Sequence, residues 1–93
     1  MKLLSSTRIK RNNRLVFRTI EDVVYVLDST NNTLHTLNET ASFLWMHSQK
    51  PTTIGALAKS LATSFGVDTK QANRDVVNFV SHYLDTGYFI RVK

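Results

Sequence analysis

The 93 residues contain no cysteine, one proline and three glycines, and each scarcity removes a class of answer. Without thiols there is no disulfide framework and no thiolate nucleophile, and a reducing compartment suits such a chain. Gly55, Gly66 and Gly87 stand too far apart to form a loop that cradles phosphate. No apolar run approaches the roughly 20 residues that a membrane-spanning helix needs. Residues 1–6 offer only Leu3 and Leu4 where a signal peptide carries a longer apolar stretch. The expectation is a soluble, cytoplasmic protein with no membrane partner.

Acidic residues are missing from one region. Lys2, Arg8, Lys10, Arg11, Arg14 and Arg18 put six positive charges into the first 18 residues with no Asp or Glu among them, and the rest of the chain has six Lys and Arg against seven acids. The net charge of +5 therefore belongs to the leading segment, and the body is near neutral. Residues 1–13 show no sustained period and read as a basic N-terminal arm, mobile or loosely docked. Residues 14–93 suffice for one domain, and 42% hydrophobic content fits a folded chain.

Two runs rich in β-branched and aromatic residues, 15–20 and 23–27, are separated by Glu21 and Asp22, a break of hairpin length. The pair lacks the Gly or Asn that a primed turn prefers, which leaves a longer, looser turn open. Ser29, Thr30, Asn31 and Asn32 make a second turn. A third strand follows over Thr33, Leu34, His35, Thr36 and Leu37, and Asn38 then caps a helix whose first residue is Glu39. Because that helix starts where the strand stops, no long loop covers the strand, and it is read as the open edge of a three-stranded antiparallel meander.

Three helices follow. The first, over about residues 39–47, puts Ala41, Leu44, Trp45 and Ser48 on one face and ends before Pro51. The second carries Ile54, Leu57, Ala58, Leu61, Ala62 and Phe65 at helical spacing between a Thr53 cap and Gly66. Asp68 and Gln71 match a capping box for the third, which runs to about Thr86 before Gly87. Residues 88–92 form a last short extended piece. The class is α+β, a three-stranded antiparallel β-meander followed by a three-helix bundle.

The third helix has more apolar surface than one contact requires. Ala72, Val76, Val77, Phe79, Val80, Tyr83 and Leu84 spread over roughly 160° at 100° per residue, whereas one core contact needs little more than about 100°. Either the helix is wedged between sheet and helices, or its margin over Asn73, Val77, Ser81 and Leu84, next to Val80, lines a groove.

Catalytic chemistry has no constellation here. His35, His47 and His82 lie on a strand and two helices without HExxH spacing, so no metal is expected. Ser5, Ser6 and Ser29 have no base near them in sequence, and Glu21 with Asp22 reads as a solvated turn. No catalytic residue and no cofactor is assigned.

The succession VVYVLD, a polar turn, LHTLNETASFLW, TIGALAKSLATSFGVD and QANRDVVNFVSHYLDTGYF resembles the PqqD-like proteins, the peptide-recognition elements of pathways that modify ribosomally made peptides. The likeness covers residues 15–92; Leu37, Asn38, Glu39 and Thr40 match the family's most recognisable tetrapeptide. His35 stands where an aromatic is common, and Ala41 where Gly is common. The resemblance implies a winged-helix-like body of three strands and three helices over residues 14–93, a non-catalytic adaptor that binds the leader of a precursor peptide as an added strand. It also implies delivery to a modifying enzyme, often of the radical S-adenosylmethionine type. Carried over, the site is Thr33, Leu34, His35, Thr36 and Leu37 with Asn73, Val77, Val80, Ser81 and Leu84 as the helix wall. A homodimer stays open.

Two rival readings stand beside it. A winged helix-turn-helix that reads DNA would need cations on the third helix, but Lys70 and Arg74 are offset there by Asp75 and Asp85, so nucleic acid is disfavoured. A plain interaction module would bind a protein surface and no peptide.

Overall fold

The density of valine decides where the first sheet forms. The computed structural model describes residues 3–92, in the order β1 (Arg8–Arg11), β2 (Val16–Ile20), β3 (Val23–Asp28), β4 (Thr33–Thr36), α1 (Glu39–Met46), β5 (Thr52–Thr53), α2 (Ile54–Phe65), α3 (Thr69–Thr86) and β6 (Phe89–Arg91). Strands β2, β3 and β4 make the expected antiparallel meander with β3 at its centre. Val24, Val26 and Asp28 of β3 turn inward and are buried, while Val23, Tyr25 and Leu27 alternate with them on the outer face.

The β2–β3 turn is tighter than its residues suggest. Ile20 pairs directly with Val23, which leaves only Glu21 (φ 50°) and Asp22 (φ 68°) to reverse the chain, both left-handed. The twist of the flanking strands selects this primed geometry, although a left-handed non-glycine residue costs about 1–2 kcal/mol. The looser turn left open by the sequence is not formed. The β3–β4 turn is held by Asp28, whose Oδ1 accepts from Thr30 N–H at 3.1 Å and Asn31 N–H at 3.2 Å.

A second antiparallel sheet, β5–β1–β6, is not read as a sheet from the sequence, although β6 falls within the extended piece read over residues 88–92. Its central strand is Arg8–Arg11, so the reading of residues 1–13 as a mobile or loosely docked arm is corrected for that stretch. Met1 and Lys2, also part of that reading, lie outside the described residues. Ile9 is fully buried and Arg11 nearly so. The Arg11 guanidinium lies 4.5 Å from the centre of the Phe17 ring and donates from Nη1 to the Trp45 carbonyl at 3.1 Å. Burial lowers its pKa from the ordinary arginine value.

All three helices start on the side-chain caps expected of them. Asn38 Oδ1 accepts from Ala41 N–H at 2.8 Å, Thr53 Oγ1 from Ala56 N–H at 3.1 Å and Asp68 Oδ1 from Gln71 N–H at 2.8 Å. The capping box at Asp68 is half made, because Gln71 Nε2 donates forward to Asp75 Oδ1 at 2.8 Å. Gly66 and Gly87 end α2 and α3 with φ of 66° and 83°, where a Cβ would be strained. Trp45 and Phe89 are the bulkiest fully buried side chains, and Trp45 packs edge-on to Phe17 at 5.6 Å. Among the described residues, no helix is long and apolar enough to cross a membrane.

Candidate functional site

Strand β4 is short, uncharged and open. Thr33, Leu34, His35 and Thr36 are all exposed, and β4 pairs with β3 on one side only. Leu37 lies just beyond the strand, and its side chain is in the core, 2% exposed. The Leu37 N–H donates to the Val24 carbonyl at 2.9 Å. Bonded and non-bonded pairs alternate along an antiparallel ladder, and the register pairs His35 with Val26 and Leu34 with Leu27. His35 therefore falls in the bonded class, and the N–H and C=O groups of Leu34 and Thr36 turn outward, where a further strand would meet them.

The inner end of the strand is fixed by a hydroxyl. Ser42 Oγ accepts from Val24 N–H at 3.0 Å and donates to the Leu37 carbonyl at 3.1 Å. It thus occupies the place of the next ladder bond and ties α1 to the mouth of the β3–β4 pair. Ser42 is 2% exposed, so this bridge is shielded from competing water.

The sheet has a second open edge at β2, and the two edges differ. Arg18 sits in the middle of β2, a charge of the kind that discourages strand addition; β4 has no charged residue. The outer face carries an apolar row in direct register, Val16 beside Leu27 beside Leu34, exposed by 61%, 44% and 63%. A strand added to β4 would lengthen that row.

Along its inner face β4 looks onto an aromatic wall. The His35 ring stands edge-on to Tyr88 at 5.3 Å, Tyr88 stacks on Tyr83 at 5.5 Å, and Tyr83 lies 4.6 Å from Phe79. Burial raises the pKa of the Tyr83 phenol, and that of Tyr88 is pushed up to about 12 by burial and by its bond to Asp28. Phe79 and Tyr83 continue, with Asn38, Thr40, Ala41, Asp75 and Asn78, into a hollow of 420 Å³.

The helix wall assigned from sequence lies elsewhere. Asn73 and Val77 border a hollow of 690 Å³ with Ser5, Gly55 and Arg74. Ser81 and Leu84 border one of 450 Å³ with Leu3, Asp85 and Arg91. Val80 is fully buried. The apolar arc of α3 has two margins, and the one linked to β4, through His35 and Tyr88, carries Tyr83 and Phe79, with Asp75 on the hollow beside Asn38. A period of 3.6 gives the width of an arc and not which border meets a given strand; the aromatic content of 79 and 83 was the available signal.

The histidines do not converge. His35 is on β4, His47 Nδ1 lies 3.0 Å from the Phe43 carbonyl, and His82 is edge-on to Tyr83 at 4.9 Å. Among the described residues no three His, Cys, Asp or Glu side chains gather where they could hold a metal ion.

No curated protein sequence matches the chain. Among solved structures, it is similar to TbiB1 in complex with the TbiA(beta) leader peptide, with a TM-score of 0.73, 18% identity, and coverage of 86% of this chain and 93% of that one. At that identity the likeness is one of fold. The family model for Coenzyme PQQ synthesis protein D (PqqD) matches residues 23–88, from the first residue of β3 through all three helices to Tyr88, and the chain belongs to the PqqD family.

Proposed function

We propose that this protein is a non-catalytic adaptor that takes the leader of a ribosomally made precursor peptide as a fourth strand on Thr33–Thr36 and delivers it to a modifying enzyme. The observation that carries this reading is the uncharged open edge of β4 beside the Tyr88, Tyr83 and Phe79 wall. Family membership supports it, and the structurally similar TbiB1 holds a leader peptide. A partner of the radical S-adenosylmethionine type and a cytoplasmic setting belong to the same proposal.

Magnitudes say what the peptide must contribute. Leu34 and Thr36 can exchange up to about four main-chain bonds at about 1 kcal/mol net each, which offsets an ordering cost of about 2–5 kcal/mol. Micromolar affinity needs about 8 kcal/mol. Two or three buried apolar side chains at roughly 1.5–3 kcal/mol apiece must supply the difference, so the peptide should carry apolar residues at alternate positions.

The test is an NMR titration with leader peptides of precursors encoded near this chain. The amides of Leu34 and Thr36 should shift most, with the Tyr83 and Tyr88 ring signals following. Shifts confined to residues 8–18 would point instead to an electrostatic partner.

A further inference from the structure

Thr33, His35 and Leu37 share one face of β4 and its extension, and side chains of an added strand alternate in the same way. A peptide residue beside His35 therefore faces Tyr88 and Tyr83. The residue two places along, about 7 Å further toward Asn38, faces the 420 Å³ hollow bordered by Asn38, Thr40, Asp75, Asn78 and Phe79. Asp75 is the only charged side chain among the described residues that line this hollow. It is half-buried, and Gln71 Nε2 donates to its Oδ1 at 2.8 Å, which steadies the carboxylate at the hollow's edge. A carboxylate there attracts a cation and repels an anion, and the Phe79 ring offers a face to the aliphatic stem of a long basic side chain.

Building on the reading of β4 as the peptide-binding edge, we propose that this hollow is a specificity subsite for a lysine or arginine of the bound peptide. That residue lies two positions from the apolar or aromatic residue that packs on Tyr88 and Tyr83. The spacing of two holds for either direction of the added strand.

The test uses a displayed library of random dodecapeptides, selected in parallel on the wild type, Asp75→Asn and Asp75→Lys, each checked for a native thermal transition. Wild-type selections should be enriched in Lys or Arg two positions from an aromatic or large aliphatic residue. Asp75→Asn should keep the apolar position and lose the basic one, and Asp75→Lys should exchange it for Asp or Glu. In a peptide selected on the wild type, replacing the basic residue with Glu should weaken binding about tenfold, near 1.4 kcal/mol, and far less on Asp75→Asn. If all three proteins select the apolar position with no charge preference beside it, the Asp75 subsite is wrong and the β4 reading survives. If none selects an extended peptide that shifts the Leu34 and Thr36 amides, the reading beneath it falls as well.

Discussion

Tyr88 donates its phenolic hydrogen to Asp28 Oδ2 at 3.0 Å, a bond across 60 residues of chain that joins the residue before β6 to the last residue of β3. Asp28 also accepts from Asn31 Nδ2 at 2.9 Å. The Asn31 side chain is the largest of the influences that hold the Asp28 pKa below its ordinary value, and burial is the main cause that lifts Tyr88 to about 12.

The two shifts act at opposite ends of the pH scale. A depressed carboxylate stabilises the fold above its unfolded pKa of about 3.9, and that contribution is lost as pH falls through the lower folded value. A raised phenol stabilises the fold below its unfolded pKa of about 10, and that contribution is lost as pH rises through about 12. Urea midpoints should therefore decline at both ends. Tyr88→Phe should reduce the alkaline decline and weaken the acid one; an alkaline limb left unchanged would assign it to another tyrosine.

The strained turn between β2 and β3 predicts a gain. Replacing Glu21 by Asn and Asp22 by Gly puts residues that tolerate positive φ where φ is 50° and 68°. Relief of strain, less the added chain entropy of glycine, should raise stability by about 1 kcal/mol. Equilibrium urea unfolding measures it, and no gain would mean that the turn relaxes in solution.

Ladder parity separates two prolines. Thr36→Pro removes an N–H that turns away from β3, so the fold should survive while affinity for a leader peptide drops at least about tenfold, near 1.4 kcal/mol. His35→Pro removes an N–H on the β3 side and should cost about 3 kcal/mol of stability, the scale for a proline that breaks a regular hydrogen bond. Circular dichroism melts and peptide titrations on the two proteins should diverge in that way. Equal losses of fold would show the parity to be reversed.

On α3 the contrast is between margins. Tyr83→Ala should weaken peptide binding about tenfold, near 1.4 kcal/mol, while Val77→Asp and the exposed Arg14→Glu should leave it within about twofold, near 0.4 kcal/mol. Calorimetric titration of folded variants decides this. A loss confined to Val77→Asp would restore the opposite margin as the groove wall.

Features set by neighbouring residues are legible in the sequence itself. Asn38, Thr53 and Asp68 announce helix starts, Gly66 and Gly87 announce ends, and the valines of 23–26 announce a central strand, because each signal and its partner lie within a few residues. β1 was not legible for the opposite reason. It alternates only twice, one of its inward residues is Arg11, and its partners are Thr52–Thr53 and Phe89–Arg91. The edge strand of the candidate site was found from its immediate junction with α1. Which margin of α3 lies toward that edge is not legible, since helical periodicity cannot tell which border of the arc the chain folds toward β4.

The central place of β1 sets an order on synthesis. All strands of the β2–β3–β4 meander are made once Thr36 has emerged, but Arg8–Arg11 stays half-paired until Phe89–Arg91 is made. In order of synthesis β4 therefore precedes the closing strand of the second sheet, and Ile9, fully buried in the folded chain, lacks that partner until residues 89–91 are made. A chain stalled before β6 would therefore present Arg8–Arg11 with one edge open, and the buried side of Ile9 uncovered, at the same time as the open edge of β4.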